Sequence, residues 1–302
     1  MSHKIHYFGE ECNAYRSALH MHSTVSDGLF SPEEAIALYE KNGYEVYAFT
    51  DHRKTNPVSS YRSGMTLLCG MEIHPQDPHG SRWHIVALGI PEDFQNQEEL
   101  SAQKSIDRVI RAGGICLMAH PHWCGQTASD VASLKNLSGL EIFNSECRYI
   151  GKAYNMQLWD ELLNMGIRMP AVCVDDMHRK ESMFLGWTMI LAQNRSKESV
   201  MDAIRRGKMY ATQGPEIYRM ELKDGIFHAE FSPCVEIIVK AAHGAMRVKP
   251  SIVPDALDEK EFTSFSVAVS EPEFTPENIF HLQLRDKRHR YAWSSPFTIK
   301  GI

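Results

Sequence analysis

Short apolar runs alternate with amphipathic segments from about residue 15 to residue 214. The apolar runs predict strands buried on both faces, and the amphipathic segments predict helices between them. The predicted strands are Ser17 to Met21, Val46 to Thr50, Thr66 to Ile73, His84 to Ile90, Ile115 to Ala119, Leu140 to Asn144, Met169 to Val174 and Gly186 to Ala192. The predicted helices are Pro32 to Asn42, Glu98 to Ala112, Asp130 to Lys135, Gly151 to Met165 and Lys197 to Arg206. Repeated strand and helix units favour a parallel β/α sheet, either open or closed into a barrel.

The helix ends carry their own signals. Ser31 precedes Pro32 and has Glu34 three positions later, which predicts a capping box with proline in the first turn. Three helices are followed by a glycine where a C-terminal cap belongs, at Gly43, Gly113 and Gly207.

The pattern changes after Gly214, where strand-like runs are separated by prolines and glycines and no helical period is evident. The predicted strands there are Val235 to Ala241, Phe262 to Val269, Ile279 to Arg285 and Tyr291 to Ile299, with an exposed loop at Pro250 to Lys260. We therefore expect an α/β unit over residues 1–214 and a small, sandwich-like all-β domain over residues 215–302.

Composition and charge exclude several classes of protein. The 302 residues include 32 Lys plus Arg against 38 Asp plus Glu, a net charge of −6, so a nucleic-acid partner is not expected. No stretch approaches the roughly 20 apolar residues of a membrane span, and the first residues do not resemble a signal peptide, so we expect a cytoplasmic protein. The seven cysteines contain no CxxC pair, which predicts reduced thiols.

Histidine is abundant, with 15 residues, most of them in the first 180 positions. Several histidines and carboxylates follow the predicted strands directly, namely His20, His22, Asp27, Asp51, His52, Glu72, His120, His122, Asp175, Asp176 and His178. Because the loops after parallel strands converge on one rim, we expect these side chains to meet at one site.

Spacing and chemistry indicate metal binding at this rim. His20 and His22 are two residues apart, so at an extended strand end they project to the same side and can chelate one ion; Asp176 and His178 have the same spacing. An imidazole and carboxylate set without thiolate suits zinc, manganese or iron.

The order of these motifs resembles the PHP family, the polymerase and histidinol phosphatase metal-dependent phosphoesterases, over roughly residues 12–214. The motifs are His20-Met21-His22, Ser26-Asp27-Gly28, Asp51-His52, Gly70-Met71-Glu72, His84 with Leu88-Gly89, Ala119-His120-Pro121 and Asp176-Met177-His178. This resemblance implies a distorted (β/α)7 barrel. The segments Ala203 to Pro215 and Arg290 to Pro296 resemble the two-domain, carbaryl-hydrolase-like branch of that family.

The resemblance also implies two or three divalent ions in neighbouring positions. The first would be held by His20, His22, Glu72 and Asp176. Glu72 would bridge to a second, held with His84 and His120. The third would be held by Asp27, His52 and His178. His74 and His79 lie close to His84 in sequence and are the alternatives to it.

Several neighbours have more than one interpretation. Asp51 either orients a ligand histidine or caps the following helix. His122 is either a catalytic acid or a solvated loop residue, and Asn144, in a Glu-x-x-Asn pattern with Glu141, either contacts substrate or does not. The cations available to clamp a phosphate are Arg53, Arg148, Lys152 and Arg179.

These observations predict a metal-dependent hydrolase that activates water to cleave a phosphate ester of a small molecule. Two alternatives remain: hydrolysis of a carboxylic or carbamate ester or an amide on the same site, and a catalytically idle metal-binding or partner-binding protein. The predicted catalytic residues are His122, Arg179 and Asn144, and the sequence leaves the physiological substrate, the metal and the oligomeric state open.

Overall fold

The computed structural model describes residues 2–76, 83–95, 97, 99–241, 246–249, 260–269 and 278–300. The first strands are β1 His3–Tyr7, β2 Glu10–Ala18, β3 Val46–Phe49, β4 Thr66–Ile73, β5 Ile85–Leu88, β6 Ile115–Met118, β7 Leu137–Asn144, β8 Ala171–Val174, β9 Trp187–Ala192 and β10 Met209–Thr212. The later strands are β11 Ile217–Lys223, β12 Ile226–Cys234, β13 Glu236–Ala241, β14 Met246–Lys249, β15 Phe262–Ala268, β16 Phe280–Arg285 and β17 Tyr291–Ser294. The α-helices are α1 Pro32–Lys41, α2 Ala102–Arg111, α3 Pro121–Cys124, α4 Ala128–Ala132, α5 Met156–Asn164 and α6 Lys197–Arg205, and the 3₁₀ helices are Val58–Ser60, Glu146–Ile150 and Lys180–Ser182.

The sheet is mixed, and its all-parallel form expected from the sequence is wrong. Strands β2, β3 and β4 are parallel, as are β6, β7 and β8. Strand β5 runs antiparallel to both β4 and β6, and β9 runs antiparallel to β2 and β10. The connection from Ile73 to Ile85 is too short for the helical crossover that a parallel pair requires, so β5 must reverse direction.

The sheet curls around an aliphatic core. Val46 on β3, Leu117 on β6 and Val172 on β8 belong to one buried cluster, although β3 and β8 are far apart in strand order. At the rim, a single parallel bridge joins Met21 to Met177, and among the described residues no ladder joins β8 to β2. The mixed α/β class is therefore confirmed, while the complete seven-stranded barrel remains a prediction.

The helices begin and end where the local signals place them. The Ser31 hydroxyl accepts the backbone N–H of Glu34, and the Glu34 carboxylate accepts the backbone N–H of Ser31, which confirms the capping box. The three predicted capping glycines all have positive φ, at Gly43, Gly113 and Gly207. Helix α5 packs inward through Trp159, whose indole N–H donates to the Met169 carbonyl oxygen at 2.8 Å.

Strands on both sides of residue 214 pair with one another. The first strand, β1, lies parallel to β11, and β10 is antiparallel to β17, with Tyr210 opposite Ser294. The sequence missed β1, β10, β11, β12 and β14, in part because a five-residue strand such as β1 buries only Ile5 and Tyr7. The boundary at residue 214 stays a prediction, and positions 250–259 of the predicted loop lie outside the described residues.

None of the described helices combines the length and the apolar character needed to cross a bilayer.

Candidate metal centre

The side chains predicted to meet at the rim lie close together in the structure. They lie at the ends of β2, β3, β4, β6 and β8 or in the segments directly after these strands. Isolated bridges at Met21–Met177 and His52–Glu72 extend the strand pairing into these segments. His84 is different because it precedes β5. Since β5 is antiparallel to its neighbours, its beginning lies at the same rim as their ends.

Four buried atoms converge at the centre of the cluster. His22 Nε2 lies 3.1 Å from His20 Nε2 and 3.0 Å from Asp176 Oδ1, and both imidazole nitrogens lie 3.4 Å from Glu72 Oε2. Neither Glu72 Oε2 nor Asp176 Oδ1 accepts a hydrogen bond of good geometry from a described residue, although His52 Nδ1 lies 2.7 Å from Glu72 Oε2. Two buried anionic oxygens beside two ring nitrogens need a cation to offset their loss of water, so this donor set fits a divalent metal.

Glu141 fixes the orientation of the His20 ring. Its Oε1 lies 2.6 Å from His20 Nδ1, and its Oε2 accepts the backbone N–H of His120 and an N–H of Asn144, each at 2.9 Å. A carboxylate can only accept hydrogen bonds, so His20 Nδ1 carries a proton. His20 therefore binds Glu141 through Nδ1 and faces the centre with Nε2, the nitrogen that a metal would take.

A second group of donors is built on the other oxygen of Glu72. Glu72 Oε1 lies 2.6 Å from His84 Nδ1 and 3.2 Å from His120 Nε2. The other His120 ring nitrogen is 3.5 Å from Cys124 Sγ. One fully buried carboxylate thus faces two donor groups through its two oxygens, which is the arrangement that a bridging ligand has.

A third group surrounds Asp27, whose side chain is about half exposed. Its carboxylate oxygens lie 3.4 Å from His52 Nε2, 3.4 Å from His178 Nε2 and 3.8 Å from His22 Nδ1. His178 Nδ1 donates to the Asp176 carbonyl oxygen at 2.8 Å, so His178 Nε2 is the nitrogen free to bind a cation. His22 adds a fourth donor that the sequence assigned only to the first position.

The electrostatics of the cluster favour positive charge beside negative carboxylates. Burial alone would raise the pKa of Glu72, but the neighbouring imidazoles of His84 and His20 hold its pKa well below the ordinary range. Burial likewise opposes a charged His52, yet hydrogen bonds to Asp27 and Glu72 raise the pKa of His52 to about 9. The carboxylates therefore remain anionic and draw cationic partners to the rim.

Backbone strain accompanies the placement of Asp176. Its φ is +52°, a region that residues with a side chain rarely adopt. The Asp176 N–H donates to the His20 carbonyl oxygen at 3.1 Å, and the Asn144 amide donates to Asp176 Oδ2 at 2.9 Å. These contacts hold Oδ1 toward the histidines, which is consistent with strain maintained at a functional position.

The three predicted catalytic residues lie in different places. Asn144 is buried beneath the cluster; its amide donates to Glu141 and Asp176, and its oxygen accepts the backbone N–H of Cys147. His122 is exposed and lines a separate cavity of about 380 Å³. Arg179 lines the cavity over the metal centre.

That cavity has a volume of about 360 Å³ and is flanked by exposed aromatic side chains. Trp123 is 44% exposed and lies against the rings of His84 and His120. Arg179 stacks on Tyr149 at 4.4 Å and forms an ion pair with Glu146, with Nε 2.8 Å from its carboxylate. The cavity therefore offers one guanidinium and two aromatic surfaces beside the cluster.

Of the two alternatives to His84 as a ligand, His74 lies within the described residues. His74 also reaches the cluster, with Nε2 at 3.0 Å from His52 Nδ1 and 3.7 Å from Glu72 Oε2, and its ring stacks on His84. His84 is the closer of the two to Glu72. His79 lies outside the described residues.

Sequence reasoning missed what Asp51 and Glu141 do. Asp51 neither orients a histidine ring nor caps a helix: its carboxylate accepts from Ser23, Ser26 and Asn56, and so it holds the loop between His22 and Asp27. The sequence feature that could have revealed both roles is the position of each carboxylate in or directly after a buried strand, because a buried charge needs hydrogen-bond partners.

Comparisons with known proteins support the fold. No family model matches the chain. The chain is 34% identical over 111 residues to a phosphoribosyl 1,2-cyclic phosphate 1,2-diphosphodiesterase of Eggerthella lenta, a match that covers 32% of this chain and 42% of that protein. It is also 24% identical over 148 residues to an uncharacterised protein of Methanocaldococcus jannaschii, covering 43% of this chain and 82% of that one.

Among solved structures, the chain resembles a two-domain protein from Bacteroides vulgatus that contains a predicted PHP-like metal-dependent phosphoesterase. The TM-score is 0.53 at 15% identity, and the match covers 90% of this chain and 91% of the other. The chain therefore shares the mixed α/β architecture of a two-domain PHP-like protein along nearly its whole length.

Proposed function

We propose that this protein is a metal-dependent hydrolase of phosphate esters. The observation that carries the proposal is that His20 Nε2 and His22 Nε2 each lie within 3.4 Å of two buried carboxylate oxygens, Glu72 Oε2 and Asp176 Oδ1. Neither oxygen accepts a hydrogen bond of good geometry from a described residue. A site that needed only structural hydrogen bonds would not bury anionic oxygens without donors.

The residues fit two or three divalent ions, of zinc, manganese or iron. His20, His22, Glu72 and Asp176 would hold the first. Glu72, His84 and His120 would hold the second, and Asp27, His52 and His178 the third, with His22 Nδ1 beside it. When bound, such ions lower the pKa of water and act as Lewis acids toward a phosphoryl oxygen.

Neighbouring side chains hold the proposed metal ligands in place. Glu141 holds His20, and Asn144 holds the Asp176 carboxylate, so the donor set is organised before substrate arrives. Arg179 is fixed by Glu146 and Tyr149 at the cavity wall, and its remaining N–H groups suit the non-bridging oxygens of a phosphate.

The similarity to a cyclic phosphate diphosphodiesterase supports a phosphorylated small molecule as the substrate. The resemblance to a two-domain PHP-like protein supports the same chemistry on the same architecture. The chain spans less than half of the length of that diphosphodiesterase, so the substrate of the one protein is not assigned to the other.

The test is to load the protein with Mn²⁺, Zn²⁺ or Fe²⁺, count the bound metal by elemental analysis, and assay phosphomonoesters, phosphodiesters and nucleotides. We expect metal-dependent turnover that is lost in His20→Ala and Asp176→Asn and retained in His228→Asn, a histidine on β12 away from the rim. Protein that binds no divalent metal, or metal-loaded protein inactive on every phosphate ester, would refute the proposal.

Hydrolysis of a carbonyl ester is the second candidate, because Arg179 is the one guanidinium among the described residues that line the cavity, and Glu146 already pairs with it. Turnover of aryl acetates or carbamates by a preparation inactive on phosphate esters would favour this candidate.

The predicted acid role of His122 has a separate test. General acids contribute roughly 100-fold or more to turnover. Because His122 lines another cavity, we expect His122→Ala to change kcat by far less than that.

A further inference from the structure

A third cavity, of about 500 Å³, lies on the other side of the 3₁₀ helix Glu146–Ile150. Its lining brings together residues from β2, from the segment around β9, and from the loop before β17. None of the described residues that line it also lines the cavity over the metal centre. The 3₁₀ helix contributes Cys147 to the metal-centre cavity and Arg148 to this one, so it forms a wall between them.

The charge of this cavity is strongly positive. Arg16, Arg148 and Arg290 line it, and no carboxylate does so among the described residues. Arg290 is neutralised by Asp286, at 2.7 Å. Within the described part of the chain, the partner that Arg148 donates to is a backbone carbonyl oxygen, that of Glu181.

Arg16 likewise has no carboxylate partner among the described residues. Its terminal N–H groups donate to the Asn42 carbonyl oxygen and the Tyr44 hydroxyl, and its buried Nε has no acceptor within the described part of the chain. Neither Arg16 nor Arg148 has a carboxylate within ion-pair distance among the described residues. Two uncompensated guanidinium groups facing one cavity attract an anion, and their planar N–H pairs suit carboxylate or phosphate oxygens.

The walls of the cavity are aromatic. The Arg16 guanidinium lies 3.7 Å from the ring centre of Trp187, and Phe143 and Tyr154 also line the cavity. Tyr154 is 45% exposed, and its hydroxyl pairs with the side chain of Gln213. Such surfaces favour a flat ring over a flexible chain, because a rigid ring loses little conformational freedom on binding.

We propose that this cavity is a binding site, separate from the metal centre, for a small molecule that joins a planar ring to a phosphate, phosphonate or carboxylate group. The anion pairs with Arg148 and Arg16, and the ring lies against Trp187. The site does not depend on the hydrolase activity, since all of its contacts lie outside the metal cluster.

Titration calorimetry with phenylphosphonate, a probe that resists hydrolysis, tests the site on the full chain. We expect saturable binding to the wild-type protein and to Glu72→Gln, which removes the metal bridge. Arg148→Gln should weaken the affinity at least about tenfold, as expected for loss of a charge-assisted hydrogen bond. The matched control is Arg111→Gln, an exposed guanidinium at the end of α2, which should bind as the wild type does.

Three results would overturn the proposal. They are no binding of phenylphosphonate, binding that is lost in Glu72→Gln but kept in Arg148→Gln, and inorganic phosphate binding as tightly as phenylphosphonate. Thermal melts show whether Arg148→Gln is folded. If it is not, Trp187→Leu provides a second test, with weaker binding of the ring-bearing probe expected and unchanged binding contradicting the proposal.

Discussion

Replacing Glu141 with glutamine tests how the cluster is organised, because the two side chains differ by little more than one donor. In the wild type, Glu141 Oε1 accepts from His20 Nδ1, while Oε2 accepts from the His120 backbone and the Asn144 amide. A glutamine offers one oxygen and one NH₂ group to the same three partners.

Only one orientation of that glutamine is tolerable. If its oxygen faced His20, its NH₂ group would meet two other donors, at His120 and Asn144. The oxygen must therefore face those two, and the NH₂ group must donate to His20 Nδ1. The His20 proton then moves to Nε2, where it points at Glu72 Oε2 and Asp176 Oδ1 instead of leaving a lone pair for a metal.

Loss of such a supporting carboxylate costs roughly 10-fold to 100-fold in metal affinity, or about 1.4 to 2.7 kcal/mol. We expect Glu141→Gln to show that loss in a calorimetric titration with Zn²⁺ or Mn²⁺ at neutral pH. The control is Glu181→Gln, which changes an exposed carboxylate and should leave the affinity unaltered. Melts in the presence of chelator show whether the variant is folded, and a folded Glu141→Gln that binds metal as tightly as the wild type would refute the tautomer argument.

Three further predictions concern the ligand, the loop and the pH dependence of stability. Glu72→Gln should abolish metal-dependent turnover with a loss beyond the roughly 100-fold seen for supporting residues, and turnover near the wild-type rate would contradict the bridging role. Gly28→Ala places a Cβ 2.4 Å from the backbone of His22, so we expect the free energy of unfolding in denaturant to fall by about 1 to 3 kcal/mol, and an unaltered unfolding midpoint would argue against this clash. Burial, with a smaller contribution from a nearby lysine, lowers the pKa of His281 to about 3. Since only the unfolded chain then binds this proton below pH 6.5, the wild type should lose about 2 kcal/mol more than His281→Phe between pH 7.5 and pH 5, and parallel pH profiles would contradict this.

The sequence predicted the site better than it predicted the sheet. The nine proposed ligands come together because each lies at or after the end of a strand or, for His84, before a strand that runs the other way. Position relative to a strand end is a local property that hydrophobic period reveals. The direction of β5 is not, because it depends on which neighbours the strand pairs with.

The supporting residues were harder to predict for the same reason. Glu141 lies in a strand that reads as apolar, and its partners are 121 residues away at His20 and 21 residues away at His120. Nothing near Glu141 in the chain indicates those partners. The strands β11 and β12 were missed because alternating polar positions weaken their apolar signal, as expected for strands with one solvated face.

The pairing of β1 with β11 has a consequence for how the chain acquires its structure. The strand that leads to His20 has β1 and β9 beside it, and β1 takes its other neighbour from residues more than 200 positions later. During synthesis on the ribosome, the outer edge of β1 therefore stays unpaired until translation has passed β11. Contacts of such long range slow folding, so the amino-terminal edge is the part of the nascent protein most in need of a chaperone.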